Sequence, residues 1–264
     1  MLADILTLPL HQITYAIFIG ITVGALMTMT GVGGGVVIIP ALQLSFSMPI
    51  VTAVGTASII ATLIKINAAL NHIRCKNVNW HHVKVILISA IPTLIIATEI
   101  IVRSAANPTL QPFTERFVQG CVVITMAGAF VSLYLGRKTE LTSSSKQTNT
   151  SAALSVGALS GSVLGTTGIG GGVILLPALK NILGATVRQA VGSSIVIAVI
   201  LSGVTAIRYS SSSQSNIAIG LLVVLSSFVG VKIGIKVLEK TSDRALINLS
   251  LFAILTSLIT TVIL

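Results

Sequence analysis

Two glycine-rich stretches are the residues of this sequence whose types and spacing could do chemistry. One reads TGVGGGV and begins at Thr30, and the other reads TGIGGGV and begins at Thr167. Glycine has no Cβ, so the chain can adopt positive φ and a ligand can approach the backbone closely. Each stretch directly precedes a short apolar segment, and the free N–H groups at a helix N-terminus bind anions. The pattern therefore predicts a two-part backbone site for an anion.

Hydroxyl groups near the two glycine clusters are predicted to complete this site. The alternative is that the glycines only allow close helix packing, which is the interpretation favoured for the pairs Gly20/Gly24 and Gly157/Gly161. Two copies at aligned positions, each opening a half-length helix, favour the ligand interpretation. The predicted substrate-binding residues are Thr30, Gly31, Gly33, Gly34, Gly35, Thr56, Ser58, Thr167, Gly168, Gly170, Gly171, Gly172, Ser193 and Ser194.

Two charged residues within apolar segments are further candidates for a role in coupling or in attracting the substrate. Lys65 is predicted to extend its ammonium group to the cytoplasmic interface, as long cationic side chains do, and substrate attraction is its alternative role. Glu99 and Arg103 are four residues apart, which predicts an ion pair on one helix face. Proton coupling is the alternative role for Glu99, because it is an acidic residue inside a long apolar segment.

The sequence predicts no enzyme, no cofactor and no metal site. It contains neither GxSxG nor HExxH, and the glycine clusters match neither the GxGxxG fingerprint nor a P-loop. A group of metal-ligand residue types surrounds one loop, but its spacing fits no standard zinc pattern, so a solvated loop is the prediction. That group consists of His72, Cys75, His81 and His82.

The elements that must position these residues are membrane-spanning helices. Hydrophobic residues make up 53% of the 264 residues and charged residues only 8%, whereas soluble domains carry about 25% charged residues. The net charge of +10 is spread among apolar segments, which argues against a nucleic-acid partner and for contact with lipid headgroups. An all-α polytopic membrane protein is predicted, with apolar segments at 13–30, 36–46, 50–70, 83–102, 117–135, 151–165, 173–183, 187–207, 216–235 and 245–264.

The sequence repeats itself at a constant spacing, without gaps. TGVGGGVVIIPAL, from Thr30, returns as TGIGGGVILLPAL, from Thr167, and AVGTAS, from Ala53, aligns at the same spacing with AVGSSI, from Ala190. A polar, Ser/Thr-rich stretch at 136–151 separates the copies. The predicted units are therefore a first transmembrane repeat at 1–140 and a second at 141–264, and internal repeats are typical of secondary transporters.

The short segments 36–46 and 173–183 decide the predicted topology. Eleven residues of helix rise about 16 Å, roughly half of the ~30 Å hydrocarbon core. If each is the second part of a broken span, eight crossings leave the 16 basic residues evenly divided. If 13–46 and 151–183 are re-entrant hairpins, Arg103, Arg116 and Arg208 lie on one side and the other 13 basic residues on the cytoplasmic side. The bias favours inverted repeats with both termini outside, although hydropathy counting alone predicts about eight segments.

The paired GxGGGxxxxP motifs, each followed by Gly55-Thr56-Ala57 or Gly192-Ser193-Ser194, resemble those of the sulfite exporter TauE/SafE family, also called the 4-toluene sulfonate uptake permease family. The resemblance covers almost the whole chain. It implies a multi-pass carrier of the bacterial inner membrane that transports a sulfur-containing anion such as sulfite or a sulfonate. The expected partners are this small anion and the lipid bilayer. An uncoupled anion channel and, less favoured, a membrane scaffold are the alternatives.

Overall fold

The structure is a computed structural model that describes residues 9–30, 35–136, 150–169, 174–238 and 241–263. These described residues form ten helices and no strand, so the predicted all-α class is confirmed. The helices are α1 (Leu10–Thr30), α2 (Gly35–Phe46), α3 (Ile50–Arg74), α4 (Trp80–Ala106), α5 (Gln111–Gly136), α6 (Thr150–Thr167), α7 (Leu175–Asn181), α8 (Val187–Ser211), α9 (Ile217–Leu238) and α10 (Asp243–Ile263).

Seven of these helices, α1, α3, α4, α5, α8, α9 and α10, are long and apolar enough to cross a membrane. The chain is therefore a multi-pass membrane protein. Hydropathy predicted about eight segments, and the difference is α6, whose 18 residues include many Ser, Thr and Gly and do not reach the apolar character of a span. α2 is apolar but has only 12 residues.

The two repeats interlock through equivalent helix pairs, with α1 packed along α9 and α6 packed along α4. A Cβ at Gly20 would clash with the carbonyl oxygen of Val223, and a Cβ at Gly157 would clash with that of Ile86. The two contacts are equivalent, because the spacing that relates Gly20 to Gly157 also relates Ile86 to Val223. Gly24 and Gly161 make similar close approaches to backbone carbonyl oxygens, so the packing role predicted for all four glycines is confirmed.

The equivalent helices α3 and α8 cross each other in antiparallel orientation. The start of α3 lies near the end of α8, because the Thr56 hydroxyl accepts a 2.9 Å hydrogen bond from the N–H of Asn216. The middles of the two helices meet where the Thr62 hydroxyl donates to Ser202 at 2.9 Å. The opposite ends are joined by the N–H of Asn79, which donates to Ser193 at 2.9 Å. This antiparallel crossing is the arrangement expected of inverted repeats, which stay a prediction.

The segment between α1 and α3 leads the chain back, because these two helices run in the same direction. α1 is parallel to α9, since Ile21 lies against Gly230 and Ala25 lies against Gly234. α3 is also parallel to α9, since Thr56 contacts the start of α9 and the residues near Lys65 share a cavity wall with the middle of α9. Consecutive helices that run in the same direction need a return segment, and α2 provides about 18 Å of it. A re-entrant hairpin requires this path.

The second repeat follows the same route. α6 is parallel to α4, because Gly157 meets Ile86 and Gly161 meets Ala90. α4 is parallel to α8, because Asn79 bonds to Ser193 near both helix starts and Glu99 pairs with Arg208 near both ends. α6 and α8 therefore run in the same direction, and the return segment contains α7. The orientation of both hairpins in a bilayer stays a prediction.

The apolar core forms two clusters, one around each short helix. Ile38, Ile39 and Leu42 of α2 are fully buried in the first, and Leu175 and Leu179 of α7 are fully buried in the second. Interrupted helices at membrane depth are tolerated where protein covers them. The burial of both short helices meets this condition.

Candidate anion site

The described flanks of the two glycine clusters lie against each other. A Cβ at Gly35 would lie 2.9 Å from the carbonyl oxygen of Gly168. Gly168 has a φ of +64°, the left-handed conformation that glycine adopts without strain, and a Cβ there would lie 3.1 Å from the hydroxyl oxygen of Ser58. Three of the predicted site residues are therefore brought together. Other members of the clusters, Gly31, Gly33, Gly34, Gly170, Gly171 and Gly172, lie outside the described residues.

Several predicted hydroxyls are already engaged with the backbone. Thr56 and Ser193 are buried and accept hydrogen bonds from the N–H groups of Asn216 and Asn79. The buried Thr167 hydroxyl accepts a 3.1 Å bond from the N–H of Ile169. These bonds fix the turns before α9 and α4 and the end of α6. The participation of these hydroxyls in an anion site stays a prediction, as does that of Thr30, the last residue of α1.

A cavity of 410 Å³ lies between α1, α3, α8 and α9. Most of its wall is apolar, and the polar groups come from one cation, two amides and three hydroxyls. Asn67 and Asn71 are exposed, so the cavity is open toward the end of α3. Its lining residues are Met27, Thr28, Ile64, Lys65, Asn67, Ala68, Asn71, Ser194, Ile195, Ala198, Ser227, Phe228 and Val231.

Lys65 is the cation in this wall. It lies nine residues before Arg74, the last residue of α3, which corresponds to about 14 Å of helix. It is also close to the crossing of α3 and α8, since Thr62 lies three residues away. Lys65 therefore lies in the wall of the cavity, and the extension of its ammonium group to the cytoplasmic interface stays a prediction.

The ammonium group of Lys65 has no acidic partner among the described residues. The two acidic side chains described there are engaged elsewhere, Glu99 with two arginines and Glu115 with the N–H of Val51 at 3.3 Å. A half-buried ammonium without a counter-charge is costly inside a membrane. The cavity therefore presents net positive charge beside amide donors, and it is suited to an anion. The three hydroxyls of its wall donate to carbonyl oxygens of their own helices.

The predicted ion pair of Glu99 and Arg103 is confirmed, with 2.6 Å between Oε1 and Nε. Glu99 also pairs with Arg208 of α8, a partner that the sequence analysis missed. The two arginines tie α4 to α8 through one carboxylate, and the alternative role of Glu99 in proton coupling stays a prediction. Glu99 does not line the cavity.

Of the predicted residues, Lys65 and Ser194 line the cavity. The first glycine cluster begins just beyond its wall, because Thr28 lies two residues before Thr30. The lining residues Asn67, Asn71 and Ser227 were not predicted. Their signal in the sequence was present but weak, since each is a polar residue in a segment that is otherwise apolar.

This arrangement can bind a small anion and can do little covalent chemistry. Lysine and asparagine supply N–H donors toward acceptor oxygens. Among the described residues no group of three His, Cys, Asp or Glu side chains is placed to hold a metal ion.

The family follows from this site, the fold and the sequence together. The profile of the Sulfite exporter TauE/SafE family matches residues 16–262. The chain belongs to this family, and the predicted resemblance is confirmed. Membership and the apolar helices together identify a membrane transporter, and no enzyme activity is associated with the relatives' names.

Curated relatives carry the same description along most of their length. A probable membrane transporter protein of Bacillus subtilis is 28% identical over 237 residues, which are 87% of this chain and 92% of the relative. A probable membrane transporter protein of Methanocaldococcus jannaschii is 24% identical over 248 residues, 87% of this chain and 88% of the relative. A probable membrane transporter protein of Haemophilus influenzae is 28% identical over 191 residues, 69% and 67% of the two chains. No solved structure matches the chain.

Proposed function

We propose that the protein is a secondary transporter of small sulfur-containing anions, such as sulfite or an organic sulfonate, in the cell inner membrane. The observation that carries this proposal is the ammonium of Lys65, which has no acidic partner among the described residues and lies in an open cavity near the crossing of α3 and α8. The family description names a sulfite exporter, and it is the source of the sulfur in the proposal. The negative charge of the substrate is argued from the cavity itself.

An oxyanion is matched to the donors of this cavity. The ammonium group offers three donors, and the side-chain amides of Asn67 and Asn71 offer two each. Hydrogen bonds between a charged donor and an anionic oxygen are about twice as strong as neutral ones. A bound anion also supplies the counter-charge that Lys65 lacks among the described residues. Binding therefore lowers the electrostatic cost of this lysine.

Alternating access around inverted repeats is the proposed mode of transport. Antiparallel crossing of the equivalent helices α3 and α8 supports it, as does the return of the chain at α2 and α7. The distribution of basic residues then orients the open end of the cavity toward the cytoplasm, since that end lies near Arg74 and Lys76.

The glycine clusters are proposed to complete the anion site with backbone N–H groups. Contact of Gly35 with Gly168, and the position of Thr28 in the cavity wall, support this part of the proposal. The substitutions Gly34→Leu and Gly171→Leu would fill such a backbone cradle with side chains. We expect both to abolish transport, and normal transport by both variants would remove the clusters from the mechanism.

Counterflow in liposomes tests the proposal as a whole. Purified protein is reconstituted into vesicles loaded with unlabelled sulfite, thiosulfate or a sulfonate, and the uptake of the labelled anion is measured at equal ionic strength. A carrier exchanges external for internal substrate and shows transient accumulation. An uncoupled channel gives flux without counterflow, and a scaffold gives no flux. Either of these two results contradicts the proposed carrier.

A further inference from the structure

If the two repeats are inverted, as proposed above, the chain has a second region equivalent to the Lys65 cavity. The repeat spacing relates residues of the cavity wall on α3 to residues of α8. The counterparts of Ile64, Lys65, Ala68 and Asn71 are Leu201, Ser202, Thr205 and Arg208. The same shift places Leu164 and Gly165 of α6 where α1 has Met27 and Thr28. This region lies beyond the crossing, toward the end of α8.

The second region is closed, although its counterpart is open. Ser202 is 2% exposed and Thr205 is 0% exposed, whereas their counterparts Lys65 and Ala68 are partly exposed. Leu164 and Leu201 are also buried. The difference lies in access, because the helices that would form the two walls are equivalent.

Two contacts close the second region, and among the described residues neither has an equivalent in the first. The fully buried Tyr209 hydroxyl donates a 3.0 Å hydrogen bond to the carbonyl oxygen of Gly165, which ties α8 to α6. Arg208 pairs with Glu99, which ties α8 to α4. At the equivalent positions of the open side the sequence has His72, Asn71 and Lys236. An amide and a lysine cannot form an ion pair, so the open side lacks one of these closing contacts altogether.

We propose that this closed region is a second anion pathway, which leads to the opposite side of the membrane and opens when the Lys65 cavity closes. This inference rests on the proposed transport function. Tyr209 and the Glu99–Arg208 pair are its closing contacts, and Arg208 is its cationic residue. Ser202 and Thr205 supply hydroxyls along the same face of α8.

The chemistry of Arg208 fits such a pathway. A guanidinium group binds oxyanions through a planar pair of N–H donors. In the closed state the carboxylate of Glu99 occupies this group. An oxyanion that leaves through the open pathway replaces that carboxylate, so the same charge is neutralised in both states.

Thiol labelling of the full-length protein in detergent tests the proposal without any substrate. The native cysteines are removed as Cys75→Ser and Cys121→Ser, and Ala68→Cys or Thr205→Cys is introduced singly. We expect a maleimide to label position 68 more than tenfold faster than position 205, because the first is partly exposed and the second is buried.

Tyr209→Phe is then added to each reporter, since it removes only the hydroxyl that bonds to Gly165. A buried hydrogen bond contributes about 0.5–1.5 kcal/mol, so labelling at 205 is expected to rise and labelling at 68 to fall, with the ratio shifting by roughly 2- to 12-fold. Tyr134→Phe is the matched control, because this tyrosine is 51% exposed, and it should change neither rate.

Opposite changes at the two positions are the required result. A rise at both positions, as in a loosened protein or a channel, or no change at either, overturns the second pathway. Arg208→Gln leaves Tyr209 intact and must give the same pair of opposite changes. If counterflow fails while the two labelling rates change in opposite directions, only the tested substrates are rejected. Successful counterflow without opposite changes rejects this inference alone.

Discussion

The two ends of the α3–α8 crossing have the same helices around them and different side chains. On the side of the open cavity are Lys65 and Asn71, and on the closed side the equivalent positions are Ser202 and Arg208. Within the part of the chain that the structure describes, the positive charge therefore has no acidic partner on one side and is paired with Glu99 on the other. The repeated backbone sets the architecture of both ends, and these side chains decide which end is open and where an anion is attracted.

Features common to both repeats hold the frame in place. Lys76 and Ser213, at equivalent positions of the two repeats, have φ values of 55° and 59° in the turns after α3 and α8. The side chains of Asn79 and Asn216 each accept a hydrogen bond from an N–H in the first turn of the next helix. These turns are the same on both sides, so they do not account for the difference in access.

The largest expected effect concerns the sides on which these two turns lie. Each of Lys76→Cys and Ser213→Cys is introduced alone into a protein whose native cysteines have been replaced. The first position lies in the turn after α3 and the second in the turn after α8. If the repeats are inverted, an impermeant maleimide labels position 76 only from the cytoplasmic side and position 213 only from the opposite side. Labelling is measured in right-side-out and inside-out vesicles. Reaction of both positions from the same side would mean parallel repeats and would contradict the equivalence of the two ends of the crossing.

The next effect separates the equivalent residues Lys65 and Ser202. Lys65→Met removes a charge-assisted contact to the anion, and loss of about 1.5–3 kcal/mol corresponds to roughly 10- to 150-fold weaker binding. Ser202→Ala removes a hydroxyl that accepts from Thr62 in this state, and we expect less than a tenfold change. Concentration dependence of uptake into liposomes measures both. Wild-type affinity in Lys65→Met would show that the anion binds elsewhere.

Two equivalent glycines are expected to have equal effects on stability. A Cβ at Gly24 would clash with the carbonyl oxygen of Ser227, and one at Gly161 with that of Ala90. We expect Gly24→Ala and Gly161→Ala each to lower the free energy of unfolding by about 1–3 kcal/mol, the usual cost of overpacking. Thermal unfolding in detergent reports the loss. Gly120→Ala is the control, because a Cβ there has no atom within 4 Å, and a marked loss in this variant would disprove the packing argument.

The smallest expected effect comes from Glu99→Gln. This substitution releases Arg208 and should raise the labelling of Thr205→Cys in the same direction as Tyr209→Phe. The change should be about fivefold or less, since partly exposed ion pairs are weak. Arg103→Gln leaves the Glu99–Arg208 pair in place and should not change the labelling rate. Equal effects of the two variants would mean that charge near the helix end, and not this pair, closes the second pathway.

Much of the fold could be predicted from the sequence, and for clear physical reasons. The low charged fraction and the lengths of the apolar segments determined the membrane class, since the bilayer fixes the length of a span. The ungapped repeat determined that two equivalent units exist. Glycines four residues apart at Gly20 and Gly24 indicated close helix packing, because only small residues allow two backbones to approach.

Less of the site could be predicted. A membrane helix is apolar on every face, so its sequence does not show which face points into the protein. Only the crossing of α3 with α8 placed Lys65 at the cavity. Asn67 and Asn71 are isolated polar residues in the sequence, and the cavity that they share depends on α1 and α9. The pairing of Glu99 with Arg103 was predictable from a local spacing of four residues, whereas the pairing with Arg208 across 109 residues was not.

The sequence by itself determined that this protein is a multi-pass helical protein, and it predicted two repeats that each contain a glycine cluster. These properties depend on composition and on local spacing. The tertiary structure decided that the helices of one repeat pack against those of the other, that a lysine without an acidic partner among the described residues lies at a cavity near their crossing, and that the equivalent region is closed. These properties depend on contacts between distant segments, which local sequence does not encode.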